Sequence, residues 1–144
     1  MKCPYCDRRA ELIDSAEIYH GRSYGPRWIC RPCDAHCGCH PGTTKPLGTL
    51  ANPETRAARV RAHAAFDPLW QMADRLYPNA RHPRRLRNLA RGRAYAWLAQ
   101  QLNVEECHIG ESFKHTCDQI VQVCTGMTDA KIRTWWKQRE ARKP

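Results

Sequence analysis

Cys3-Pro4-Tyr5-Cys6 and Cys30-Arg31-Pro32-Cys33 are two Cys-x-x-Cys pairs near the start of this 144-residue chain. A pair at this spacing turns tightly enough to offer two thiolates to one metal. Two such pairs complete a tetrahedral sulfur shell, the usual structural zinc site. The 23 residues between them slightly exceed the roughly fifteen to twenty of the common spacing, and they still suit a ribbon. Disulfides and a redox dithiol fit less well. No basic and apolar leader precedes Cys3, so an intracellular, reducing environment is expected, in the cytoplasm of a bacterial host. A thioredoxin-like motif should follow a buried strand, and only Met1-Lys2 precedes the first pair. Nine cysteines is an odd number, and four on one Zn²⁺ with five reduced thiols is the simplest account.

A second group of soft ligands follows in Asp34-Ala35-His36-Cys37-Gly38-Cys39-His40. Cys39 and His40 fit three roles: a polar pair bracing the loop, ligands of a second metal with a distant Cys or His, or functional groups that contact a bound molecule or, least expected, form a Cys nucleophile with a neighbouring base. Glu106, His108 and His115 could supply acid–base groups or metal ligands, although adjacent Cys107 and His108 are poorly spaced for one tetrahedral site. Acidic residues are few and scattered, so catalysis, for example by a metal-dependent nuclease, is the least expected function.

Charge singles out another region. The chain carries a formal charge of +10 and a pI near 9.4. Residues 56–93 hold ten arginines and no lysine against Asp67 and Asp74, a net +8, and residues 128–144 add +4. Concentrated arginine suits bidentate contacts to phosphate or stacking on bases, and the natural partner is a polyanion. Arg81, Arg84, Arg85, Arg87, Arg91 and Arg93 are the candidate contacts, with Lys131, Arg133, Trp135, Trp136 and Lys137 extending the surface by interleaving aromatic and basic groups. An acidic patch on a bacterial protein would meet the same surface, which leaves open a host-takeover or anti-defence inhibitor. A solvated helix face is the plainest alternative.

These groups need elements to hold them. Glu11-Leu12-Ile13 and Glu17-Ile18-Tyr19 read as short strands around a turn at residues 21–26, with a return strand over residues 35–40. Alternation along that strand places Cys37 and Cys39 on one face and His36, Gly38 and His40 on the other. Asn52-Pro53 begins a helix to about Ala65, with Ala57, Val60 and Ala64 near one face and Arg56, Arg59 and Arg61 elsewhere on its surface. Asp67-Pro68 restarts it, and Trp70 beside the Leu69, Met72, Ala73 and Leu76 stripe reads first as a core residue. Pro83 opens a helix to about Leu102, with Leu86, Leu89, Ala90, Ala94, Trp97, Leu98 and Gln101 on one face and Arg84, Arg87, Asn88 and Arg91 on another. Ser112 caps a helix with a Phe113, Cys117, Ile120, Val121 and Cys124 stripe. Thr128 or Asp129 caps the last helix.

These motifs together resemble a family of small phage and prophage proteins described as zinc-finger-containing. The resemblance rests on Cys3-Pro4-Tyr5-Cys6, Asp14-Ser15-Ala16-Glu17-Ile18-Tyr19, Cys30 to Cys33 with Gly38-Cys39-His40-Pro41-Gly42-Thr43, and Lys45-Pro46-Leu47-Gly48. It continues through Ala62-His63-Ala64-Ala65-Phe66-Asp67-Pro68-Leu69-Trp70, Arg93-Ala94-Tyr95-Ala96-Trp97-Leu98 and Glu106-Cys107-His108-Ile109-Gly110. Glu111-Ser112-Phe113 departs from the family pattern, and the basic aromatic tail lies outside it. The resemblance implies a phage or prophage origin and the four-cysteine metal site, and it names no activity. The expected fold is α+β: an N-terminal zinc ribbon with a short β-hairpin over residues 1–50, packed on a bundle of four or five α-helices. The bundle comprises a helical domain at 51–127 and a basic aromatic helix at 128–144. The expected function is non-enzymatic binding of DNA or RNA.

Overall fold

The computed structural model describes residues 1–144. The chain forms two compact units, residues 1–59 with 110–114 and residues 60–109 with 115–144.

The first unit holds a three-stranded antiparallel sheet in the order β1 (Glu11–Asp14), β2 (Pro26–Cys30), β3 (Ala35–Gly38). Trp28 lies opposite Leu12 on one side and Cys37 on the other. The strand expected at Glu17-Ile18-Tyr19 is absent, because Ser15–Glu17 is a 3-10 turn. The Asp14 carboxylate accepts the Ala16 N–H at 2.7 Å. The buried Ser15 hydroxyl accepts the Tyr24 N–H at 2.6 Å. Both bonds favour a turn over a ladder. The chain re-enters the sheet as β2, a strand that periodicity had not singled out. The return strand also ends earlier than expected, at Gly38. Beyond it the backbone forms a hairpin in which Cys39 bridges Pro46 and the His40 N–H donates to Lys45 O at 2.9 Å. The alternation expected for this strand is overridden by cover on both faces, since Ala35, His36 and Cys37 are all buried.

The core of this unit is Cys3, Ala10, Cys30, Ala35, Cys37 and Leu50, with Tyr5, Cys6, Trp28 and Cys33 packed against it. Leu50 is the one sizeable aliphatic side chain in that cluster. Polar anchors supplement it. The Tyr5 hydroxyl donates to Thr55 Oγ1 at 2.8 Å. Arg56 donates to the carbonyls of Asp34 and Ala51, and Arg59 to those of Ser112 and Thr49. Buried His36 accepts from Arg27 at 3.0 Å. Burial first, then the charges of Arg56 and Arg27, lower its pKa to about 4.

Helix α1 (Pro53–Phe66) begins as expected, with Asn52 Oδ1 accepting the Thr55 N–H at 2.9 Å. The apolar face read from the sequence is not its inward face. Ala57, Val60 and Ala64 are exposed, whereas Thr55, Ala58, Ala62 and Phe66 are buried. Alanines occur all around this helix and cannot choose a face. The Tyr5–Thr55 bond and the bulk of Phe66 set its rotation.

In the second unit α2 (Pro68–Gln71) and α3 (Ala73–Leu76) are single turns packed on α4 (Pro83–Gln101), which also meets α6 (Asp129–Ala141). Ala94, Trp97, Leu98 and Ala99 are the buried part of α4. Leu89, expected inward, is 50% exposed, and Gln101 is exposed. At the start of α4 Leu86 and Ala90 are the apolar side chains that line the space against Leu69, Ala73 and Leu76, and α2 and α3 are one turn each, too short to cover Leu89 as well. Helix α5 (Lys114–Cys124) buries Cys117, Ile120 and Cys124. It starts two residues after the expected Ser112 cap, whose carbonyl is engaged by Arg59 in the first unit. Gly126 at φ +73° ends the approach from α5, and Thr128 Oγ1 caps α6 by accepting the Lys131 N–H. No helix is long and apolar enough to cross a membrane.

Two predictions test this packing. A Cβ on Gly48 would lie 2.5 Å from Gly110 O, a backbone atom with little freedom to retreat. Gly48→Ala should therefore lower stability by about 1–3 kcal/mol in a denaturant melt; an unchanged midpoint would contradict the close approach. His36 binds its proton more readily unfolded than folded, so stability should fall as pH drops from 6.5 toward 4, by about 3 kcal/mol in full. Comparison with His36→Gln should isolate that slope, which would persist in the variant if another group caused it.

Candidate metal centre and basic surface

The sheet exists largely to bring two knuckles together. In the first, the Cys3 N–H donates to Arg8 O at 2.8 Å and the Asp7 N–H to Cys3 O at 2.9 Å. In the second, the Asp34 N–H donates to Arg31 O at 3.1 Å. Each Cys-x-x-Cys is followed by an aspartate in the left-handed region, Asp7 at φ 58° and Asp34 at φ 44°. Asp and Asn tolerate that conformation better than most residues. The repeated Cys-x-x-Cys-Asp was the sequence signal for it.

The sulfurs of Cys3, Cys6, Cys30 and Cys33 all lie within 4.8 Å of one another, with Cys6 Sγ 3.6 Å from Cys30 Sγ. A tetrahedral site with Zn–S bonds of about 2.3 Å needs sulfurs about 3.8 Å apart, so the four fit one structural Zn²⁺. Their electrostatics call for a cation. The Arg8 backbone N–H, foremost, lowers Cys6 to about 7. The neighbouring Cys6 sulfur, then burial, pushes Cys33 up to about 12. Burial raises Cys30. One thiolate thus makes the next harder to form, and a divalent ion at the centre reverses that order. No other group of three or more Cys, His, Asp or Glu ligand atoms comes together in the chain.

The remaining candidates occupy varied surroundings. Cys39 is half-buried in the hairpin beside Pro46, its thiol raised chiefly by burial. The exposed His40 gives its carbonyl to Thr43. His108 is exposed, with its ring 5.8 Å from that of Tyr95 and its Nε2 3.9 Å from the Glu106 carboxylate.

The arginines divide by what they touch. Arg81, Arg84 and Arg85 are exposed around the start of α4 and pair with no carboxylate. Arg87 reaches Asp74 at 3.6 Å. Arg91 lies over the rings of Trp70 and Tyr95 at 5.4 and 5.5 Å, so Trp70 is half-buried under a cation. Arg93 lies 5.7 Å over Trp136. Two expected contact residues serve the fold as well: Lys131 Nζ donates to Gly126 O at 2.9 Å, and Arg133 binds the Asp129 carboxylate and the Tyr77 hydroxyl. Lys137 is exposed. Trp135 and Trp136 are half-buried with ring centroids 6.0 Å apart. Trp135 Nε1 donates to Gln100 Oε1 at 2.6 Å, and Arg139 lies over both indoles at 5.4 and 5.3 Å. Arg139 belongs to the basic residues interleaved with the tryptophans but was not among the named contacts, although its spacing of four and three residues from Trp135 and Trp136 brings it to their side of the helix.

A family model described as a zinc-finger-containing domain matches residues 1–127. No curated protein and no solved structure matches the chain.

Protein purified without chelator should contain one zinc per chain by elemental analysis. Cys33→Ala should lose the metal and unfold the first unit, because three sulfurs leave the shell open. Acidification should release the ion as protons compete for the thiolates. Full zinc content in Cys33→Ala would exclude this ligand set.

Proposed function

We propose that this chain, which belongs to the zinc-finger-containing domain family, holds its zinc for structure and binds nucleic acid through the helical unit without chemically altering it. The observation that carries the reading is the exposed, unpaired set Arg81, Arg84 and Arg85 at the start of α4. No acidic residue occupies the first turn of that helix. Cations there oppose the helix dipole and cost a few tenths of a kcal/mol each, so the protein gains no stability from this arrangement. A phosphate partner would reverse the sign, since its oxygens meet both the guanidinium groups and the positive end of the helix.

Arg87, Arg91 and Arg93 continue the basic surface along α4. Their contacts to Asp74, Trp70, Tyr95 and Trp136 hold the guanidinium groups in place, which reduces the entropy lost on binding. Lys137 and Arg139 extend the positive charge on α6. Lys131 and Arg133 contribute charge while remaining tied to backbone and carboxylate partners. The reading places the four-cysteine centre in a scaffolding role, as expected of a closed sulfur shell with no open coordination position.

Affinity for DNA or RNA should fall steeply with salt, with log K against log[salt] sloping by about −0.9 per phosphate neutralised on duplex and about −0.7 on single strands. Arg84→Ala combined with Arg85→Ala should weaken binding and flatten the slope by about two such increments. A slope near zero, or capture of one acidic protein in place of nucleic acid from nuclease-treated lysate, would replace this reading with protein inhibition.

A further inference from the structure

At the far end of α4 from Arg84, the second unit has an open cleft of about 370 Å³ lined by Gln100, Asn103, Glu105, Trp135 and Arg139, among others. That volume lies within the roughly 300–1,000 Å³ of small-molecule sites. We propose that this cleft receives one unpaired guanine base, stacked beside Trp135 and read by the Glu105 carboxylate. The proposal rests on the nucleic-acid reading above and adds to it which base is selected and that the base must be free of its complementary strand.

The local fold holds the lining in place. Asn103 adopts a left-handed conformation at φ 54°, and the N–H groups of Asn103 and Val104 donate back to Gln100 O and Ala99 O. This turn ends α4 and carries Glu105 onto the wall. Opposite it, the Trp135 indole is fixed by its bond to Gln100 Oε1, while Arg139 over the ring supplies a cation for the phosphate that accompanies a base. Accepting from the indole leaves the Gln100 amide N–H groups free to donate to a ring carbonyl.

Glu105 selects the base. It is exposed and forms no ion pair. On a surface that attracts phosphates, a bare carboxylate reduces affinity unless it accepts hydrogen bonds from the ligand. Its two oxygens accept only. Guanine presents two adjacent donors on its pairing edge, N1–H and the 2-amino group. Adenine and cytosine each set one amino donor beside a ring-nitrogen acceptor, and uracil or thymine sets one N–H between two carbonyls. A carboxylate therefore matches guanine with two bonds and the other bases with one at most. Because this edge is covered in a duplex, the site reads single strands, loops or extruded bases, where aromatic stacking and edge contacts are the usual means of recognition.

The test uses the full zinc-loaded chain and mononucleotides, so it depends neither on polymer length nor on Arg81, Arg84 and Arg85. The indole N–H signals are followed by NMR during separate titrations with guanosine, adenosine, cytidine and uridine 5′-monophosphates, and the Trp135 signal is assigned with Trp135→Phe. Guanosine monophosphate should shift that signal at a concentration about ten-fold lower than the others, in the range of one bidentate base contact. Glu105→Gln should abolish the preference. Equal responses to all four, no response to any, or a preference that survives Glu105→Gln would overturn the proposal. A flat salt dependence on polymeric nucleic acid would instead count against the broader reading, since the two measurements probe different residues.

Discussion

Four sulfurs within 4.8 Å of one another cannot all carry negative charge unless a cation sits among them, and the first unit is built under that constraint. Its large buried aliphatic side chains are Leu50 and Ile29, and the cluster around Leu50 is otherwise cysteines and alanines with Tyr5 and Trp28 packed against it. Apolar burial worth about 25 cal/mol per Å² does not go far in so small a core. Structural zinc contributes about 10–16 kcal/mol of apparent binding free energy in small finger peptides, comparable to the whole stability of an ordinary domain. The hydrogen bonds from Tyr5, Arg56 and Arg59 then brace the loops that the metal draws together.

The arginine-rich segment serves two physical ends. Arg56 and Arg59 spend their donors on carbonyls within the first unit, an arrangement suited to a planar group with several fixed N–H directions. Arg91, Arg93 and Arg139 lie on aromatic faces, where the cation is attracted and the ring is kept partly dry. Arg61 and Arg87 pair with carboxylates, and Arg75, Arg81, Arg84 and Arg85 are left exposed without a carbonyl, ring or carboxylate partner, so the net +8 of residues 56–93 overstates the charge available at any one place. A smaller group of free cations beside a row of pre-positioned ones remains well suited to a phosphate chain.

The helical unit uses its aromatics in a corresponding way. Phe66 packs on Tyr95 at 4.5 Å and is fully buried, whereas Trp135 and Trp136 stay at the surface under Arg139. The difference follows from the side chains themselves. Phe66 is apolar throughout and needs no polar partner, while the Trp135 indole N–H donates to Gln100 at the edge of the unit.

Residue type and spacing alone determined the zinc ligands, because a Cys-x-x-Cys pair is a local turn and two pairs have little else to do in a chain with so thin an apolar core. They also determined the start of α1 at Asn52-Pro53, the span of α4 and the cap of α6, since caps and prolines act on residues close in sequence. The turn that replaces the strand at residues 17–19 rests on hydrogen bonds two and nine residues apart. The rotation of α1 and the exposure of Leu89 were instead decided by tertiary structure: each depends on what covers a face, and Tyr5 is distant in the chain from α1, as the short α2 and α3 turns are from Leu89. The same reason separates charge from availability. Sequence counts ten arginines between residues 56 and 93, but whether a guanidinium meets solvent, a carbonyl or a ring is settled only when the chain closes around it.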